Sequence, residues 1–230
     1  TRKDTAPGPD GIYYSTWSCM PVNILRVLYD CYCSWVSGDP LPQDFNSALL
    51  WLLPKGDSED DSSNFCVRTL DKTRPLTGSN TDSKIFASAM NSVFNEVLPN
   101  YIEEEQTCVK GRLMLSNVVD LLKNADNMSQ KAHQVALLLL DFSSAYPSLA
   151  RDFIFQVLRK SGFPSNIVHA IEELYKDNHH YYSFGGVTKF VFTVLSGVRQ
   201  GCPLSSSIFA VVTDTLIRYI KAHLTDDAYF

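Results

Sequence analysis

Apolar positions along this chain recur with two different periods, and the switches between them mark the elements. Helical spacing predicts a helix from about residue 21 to 36 and a stronger one over 81–98, with Thr81 or Asp82 as the N-cap. Ile85, Phe86, Ala89, Met90, Val93, Phe94, Val97 and Leu98 form the stripe of that second helix, and Pro99 stops it. A further helix is expected over 116–125. Residues 151–161 and 165–176 read as two more, split by Gly162-Phe163-Pro164. A long one over 205–222 should turn Ile208, Phe209, Val212, Leu216, Ile217 and Ile220 inward. Between the helices lie short apolar runs. Residues 48–53 end at Pro54 and read as a strand, and residues 135–140 read as a strand buried on both faces. Residues 181–195 alternate around Gly185-Gly186 and read as a β-hairpin. The polar stretches, Gly- and Pro-rich near 5–11 and acidic within 55–73, read as loops. Strands and helices do not alternate strictly, so the expected class is α+β.

Composition narrows this only a little. With 45% hydrophobic and 20% charged residues in 230, a packed core is expected and global disorder is not. No apolar run approaches the length of a membrane span, so no membrane partner is expected. The chain starts without Met and without an apolar leader, which suggests a fragment. A net charge of −5 argues against coating nucleic acid nonspecifically, although a local basic groove is compatible with it. The six cysteines include no Cys-x-x-Cys pair, so buried free thiols in a reducing, intracellular compartment are expected rather than a zinc site.

Three segments carry residues suited to chemistry. Leu137–Leu140 delivers Asp141-Phe142-Ser143-Ser144-Ala145-Tyr146 at the end of an apolar run. A carboxylate there either caps the following turn, the commoner role, or meets a cation such as Mg²⁺, which prefers oxygen ligands. Next, Gly197 and Gly201 with Pro203 bracket Arg199 and Gln200 ahead of the long helix. This is either a hairpin-to-helix connector or a loop whose glycines admit a ligand close to the backbone, with Gln200 bonding a sugar or base edge. Finally, Lys55 follows a strand end, and Arg74 precedes Pro75. Such cations are usually solvated surface charge, and the alternative is a clamp on a triphosphate.

Taken together and in order, these segments resemble a reverse transcriptase domain of the non-long-terminal-repeat retrotransposon and group II intron kind. The string Ala6-Pro7-Gly8-Pro9-Asp10-Gly11-Ile12 resembles its N-terminal signature. Leu53-Pro54-Lys55, Arg74-Pro75-Leu76 and Lys84-Ile85 resemble its fingers motifs, and Gln106–Arg112 resembles its Gln-x-Gly-Phe-x-x-Gly-Arg box. Residues 141–146 resemble motif A, 196–205 motif B, and 158–164 the link between them. Cys108-Val109 stands where Gly-Phe is usual, Pro147 where Asp is common, and the loop before Arg74 is long.

The resemblance implies a right-hand polymerase fold with fingers and a partial palm, the thumb being absent. Its fingers would be near residues 1–85 and 151–198, and its palm near 86–150 and 199–230. It implies template-directed addition of deoxynucleotides to a DNA primer on an RNA template, with two Mg²⁺ ions. Asp141 and the Phe142 carbonyl would be metal ligands, and Asp141 the catalytic carboxylate. Lys55 and Arg74 would hold the triphosphate. Phe142, Ala145 and Tyr146 would line the nucleotide, with Tyr146 the steric gate against a ribose 2′-hydroxyl. Gln200 would touch the sugar, and Arg199 and Gly201 would shape the pocket. For a eukaryotic element the compartment would be the nucleus.

The family's aromatic-Ala-Asp-Asp motif should follow the helix after motif B. Asp226-Asp227 is the acidic pair there, but it lacks a preceding apolar strand and reads as a loop. The expectation is therefore a domain truncated before that motif, inactive as 230 isolated residues. The competing expectation is a catalytically inactive remnant that at most binds nucleic acid.

Overall fold

The computed structural model describes residues 6–57, 61–62, 66–107, 109–131, 136 and 139–223. Two helices open it, the short α1 (Tyr14–Cys19) and the longer α2 (Val22–Ser37), the second ending on Gly38 in the left-handed region. Strands β1 (Ala48–Pro54) and β2 (Thr73–Ser79) follow, then α3 (Thr81–Val97), α4 (Met114–Lys131) and the single turn α5 (Ala145–Ser148). Helices α6 (Arg151–Lys160) and α7 (Ser165–Leu174), the hairpin β3 (His179–Phe184) and β4 (Val187–Thr193), and α8 (Ser205–His223) complete the order.

The strands form one four-stranded sheet in the order β2-β1-β3-β4. β1 pairs antiparallel with β2, Leu53 opposite Arg74, and parallel with β3, Ala48 opposite His180. That single parallel pair requires the chain to leave the sheet and return between β1 and β3. The helices in that excursion and α8 supply the core: Phe86, Met90, Phe94 and Leu98 from α3 and the turn after it, Ile154 and Leu158 from α6, Ile171 and Leu174 from α7, Leu204 and Ile208 from the start of α8. The mixed α and β character expected from the periodicity is what the chain adopts.

Several expectations are corrected in detail. Leu139 and Leu140 lie outside any strand and are exposed, at 77% and 78%, so for these residues the buried strand expected over 135–140 does not hold; Val135, Leu137 and Leu138 lie outside the described residues. Apolar character makes a strand only where neighbours pair its backbone groups, and the four described strands pair with one another. The N-cap of α3 is Asn80, one residue before the expected pair, because Thr81 turns its hydroxyl to the Ile12 carbonyl (3.0 Å) and accepts from Trp17 Nε1 (2.7 Å). Val93, Val97 and Leu216 continue helical stripes but face solvent. Cys19, Cys33 and Cys66 are exposed free thiols and Cys31 and Cys202 are half-buried, so burial of the thiols does not hold; Cys108 lies outside the described residues. No helix among the described residues is long and apolar enough to cross a membrane.

The Gln106–Arg112 box acts as a clamp. The Arg112 guanidinium donates to the carbonyls of Pro99 (2.9 Å), Ile102 (2.9 Å), Gln106 (3.1 Å) and Glu103, gathering the turn that follows α3. Gln106 Nε2 donates to Thr213 Oγ1 (2.7 Å) and the Glu103 N–H to Asp214 Oδ1 (2.8 Å), which ties this turn to α8. A planar five-donor fork suits such a cluster of carbonyls, whereas Lys would not reach them together.

Candidate active site

The site is built around residues 196–201, which connect β4 to α8. This segment is fastened on two sides. On one side, Val198 N–H donates to the Tyr146 carbonyl (3.0 Å) and Gly197 N–H to the Leu149 carbonyl (2.8 Å), so it lies against the α5 turn. On the other, the Thr77 N–H of β2 donates to the Gln200 carbonyl (2.9 Å). β2 is an edge strand with N–H groups free to pair outward, and the loop takes one of them.

Glycine is required at both attachments. Gly197 has φ +75, and a Cβ there would stand 2.4 Å from the Tyr146 carbonyl oxygen; Gly201 has φ +108, and a Cβ would stand 2.9 Å from the Thr77 carbonyl oxygen. The glycines expected to let a ligand approach are thus pressed against the protein's own backbone.

Phe142 and Tyr146 converge on α8. Their rings lie 6.1 and 5.2 Å from that of Phe209. Asp141, just ahead of Phe142, is exposed, while Ala145 and Tyr146 are half-buried. Asp141 follows Leu139 and Leu140, which lie outside the sheet, so the strand expected to deliver it does not hold over these residues.

Lys55 and Arg74 meet at one end of the β1–β2 ribbon. Leu53 is opposite Arg74 and Pro54 opposite Thr73, and the Lys55 N–H extends the ladder to the Lys72 carbonyl (2.9 Å). Lys55 Nζ donates to the Asp71 carbonyl (3.2 Å), and Arg74 is exposed. Register therefore brings together two cations separated in sequence by a long polar loop.

Arg199 lies beneath the loop. It is only 3% exposed, and its guanidinium lies 5.7 Å from the Tyr175 ring centre. Nε and Nη1 are buried with no hydrogen-bond partner among the described residues. Sequence reading overlooked its surroundings. Tyr175 is buried, with its hydroxyl 3.3 Å from Ser205 Oγ, and burial pushes its phenol above the ordinary value. Arg151 lies 5.4 Å from the same ring and is pushed down by burial. His180, nearby in β3, is held below the ordinary imidazole value chiefly by burial, and further by Arg199 and Arg151. Its Nδ1 faces the Asn178 carbonyl (3.3 Å), which can only accept, so Nδ1 carries the proton and Nε2 accepts from the Thr77 hydroxyl (3.1 Å). Thr77, Phe209, Tyr175 and His180 carried no signal in sequence because each looks like an ordinary core or strand residue.

Among the described residues no group of three or more His, Cys, Asp or Glu side chains is arranged to hold a metal ion. Asp226 and Asp227 lie outside the described residues.

Comparison with known proteins identifies the family. Residues 53–229 match the family described as reverse transcriptase (RNA-dependent DNA polymerase). A Transposon TX1 uncharacterized 149 kDa protein of Xenopus laevis is 25% identical over 227 residues, 96% of this chain and 16% of that protein. The retrovirus-related Pol polyprotein from type-1 retrotransposable element R2 of Bradysia coprophila is 22% identical, over 93% of this chain and 23% of its own length. The corresponding polyprotein from type-2 retrotransposable element R2DM of Drosophila melanogaster is 23% identical, over 96% of this chain and 20% of its own length. The chain thus spans less than a quarter of each of these relatives.

Proposed function

The chain belongs to the reverse transcriptase family, and from that premise we propose that it is the nucleotide-receiving part of an RNA-directed DNA polymerase, extending a DNA primer on an RNA template. One observation carries this reading: residues 196–201 are bonded at once to the turn holding Tyr146 and to the strand β2 that bears Arg74. A nucleotide needs its sugar and its triphosphate held in one frame, and rigid attachment to both segments supplies it.

In this reading Lys55 and Arg74 hold the triphosphate. The half-buried Tyr146 ring, backed by Phe209, rejects a ribose 2′-hydroxyl by its bulk. Gln200 meets the sugar, Ala145 and Phe142 complete the lining, and Gly201 keeps the loop against Thr77. Arg199 shapes the pocket from the interior. The sheet with α6 and α7 corresponds to fingers, and α3, α5 and α8 to palm.

The family's divalent metal chemistry fits the residues in part. The exposed Asp141 carboxylate and the Phe142 carbonyl are oxygen donors of the kind Mg²⁺ takes. When bound, the metal would neutralise charge developing on the phosphates. The described residues offer no complete metal centre, so two ions would draw on ligands beyond them.

The test is primer extension on an RNA template by the full-length protein, with deoxynucleotides and Mg²⁺. Extension that vanishes in Asp141→Ala supports the reading. Absence of extension by the unsubstituted protein, or full activity of Asp141→Ala, overturns it.

A further inference from the structure

Half-buried Arg151 and buried Arg199, beside Tyr175, pair with no carboxylate among the described residues. Arg151 opens α6, and its guanidinium donates to the Tyr175 carbonyl and, through Nε, to the Gly197 carbonyl (3.5 Å). Its Nη2 is buried without a partner among the described residues. Both guanidiniums lie within cation–π range of one ring, and Arg151 feels the Arg199 charge as repulsion. Two like charges held over one ring, one buried and the other half-buried, oppose folding, so stability alone is a poor reason for the arrangement.

What the cluster does is hold one short loop. Arg151 grips the Gly197 carbonyl, while Ser205 Oγ, beside the Tyr175 hydroxyl, donates to the Arg199 carbonyl (2.7 Å). Between these grips stand Val198, bonded to Tyr146, and Gln200, bonded to Thr77. The loop is held from beneath by α6 at Gly197 and by the start of α8 at Arg199, and from above by the α5 turn and β2.

We propose that Arg151 is a positioning residue for the incoming nucleotide: acting through the Gly197 carbonyl and Tyr175, it sets where Tyr146 and Gln200 stand. This rests on the polymerase reading above. Its consequence is specific. Loosening Arg151 should shift the loop and the Tyr146 turn together, and so weaken nucleotide binding and selection without touching the metal ligands.

The experiment is steady-state primer extension by the full-length protein, comparing Arg151→Lys and Arg151→Ala with the unsubstituted enzyme. It reads KM for deoxynucleotide, KM for primer–template, and the ribo- to deoxynucleotide preference. A merely structural role lowers the folded fraction, which reduces apparent kcat but leaves both KM values and the preference unchanged. The proposal expects KM for deoxynucleotide to rise about tenfold in Arg151→Ala, the size of one lost charge-assisted hydrogen bond. It also expects greater ribonucleotide use and an unchanged KM for primer–template. Arg151→Lys keeps the cation over Tyr175 but cannot fork to both carbonyls, so it should show the same changes in smaller measure. If Arg151→Ala does not fold, Arg151→Lys alone decides. Nucleotide KM and preference equal to the unsubstituted enzyme in a folded variant overturn the proposal. Failure of the polymerase reading itself shows separately, as no extension by the unsubstituted protein.

Discussion

Replacing Gly197 by Ala tests the attachment at the centre of the site. The new methyl would lie 2.4 Å from the Tyr146 carbonyl oxygen, 2.6 Å from Pro147 Cα and 2.9 Å from the Pro147 carbonyl carbon. Ordinary contact begins near 3.4 Å, so the loop and the α5 turn must separate by roughly an ångström. Holding Ala at φ +75 costs about 1–2 kcal/mol by itself. The separation also breaks the bonds from Val198 to Tyr146 and from Gly197 to Leu149, together about 2 kcal/mol. The sum is roughly 3–4 kcal/mol, which for a domain of this size lowers Tm by about 10 °C.

Gly186→Ala is the control. Gly186 has φ +78, but a Cβ there meets nothing within 4 Å, so it should lose only the conformational part, about 1–2 kcal/mol. Equilibrium denaturation of both variants measures the difference. A Gly197→Ala protein no less stable than Gly186→Ala would refute the close approach of loop and turn.

Other expectations follow from the same geometry. Tyr146→Ala in the full-length enzyme should admit ribonucleotides, read by competition between ribo- and deoxynucleotides; an unchanged ratio removes Tyr146 from the gate. Arg112→Lys should destabilise by about 2–4 kcal/mol, because a point charge cannot serve four carbonyls at once, and urea denaturation would expose a smaller effect. His180 gives a pH dependence of known sign. Its native pKa lies below the ordinary value of 6.5, so the unfolded chain binds the proton more readily. The stability it contributes is complete above that value and is lost as pH falls from there toward the lower native pKa. His180→Gln should flatten the loss of stability between about pH 7 and pH 5, and an equally steep fall in the variant would assign it to other groups.

How far sequence alone reached is clearest from particular elements. Helices α2, α3, α6, α7 and α8 and the hairpin lie within a few residues of their expected bounds, because amphipathic period and Gly or Pro stops are local signals. The ordered motifs pointed to the family, and 53–229 match it. Local pattern failed where an outcome depends on neighbours. Leu139 and Leu140 have strand composition but no hydrogen-bonding partner in the described sheet, and Val93 and Leu216 continue helical stripes over faces that no described residue covers. Arg199 was legible as a site residue, but its place beneath the loop was not, since burial of a guanidinium follows from Tyr175 and Arg151 arriving from two other helices. The candidate residues were therefore written in the chain. Their meeting was decided by the tertiary structure: β1–β2 register joins Lys55 to Arg74, and two backbone hydrogen bonds tie the loop that bears Gln200 to the turn that bears Tyr146 and to β2. Such contacts form between segments that share no sequence period, so no reading of local pattern could contain them.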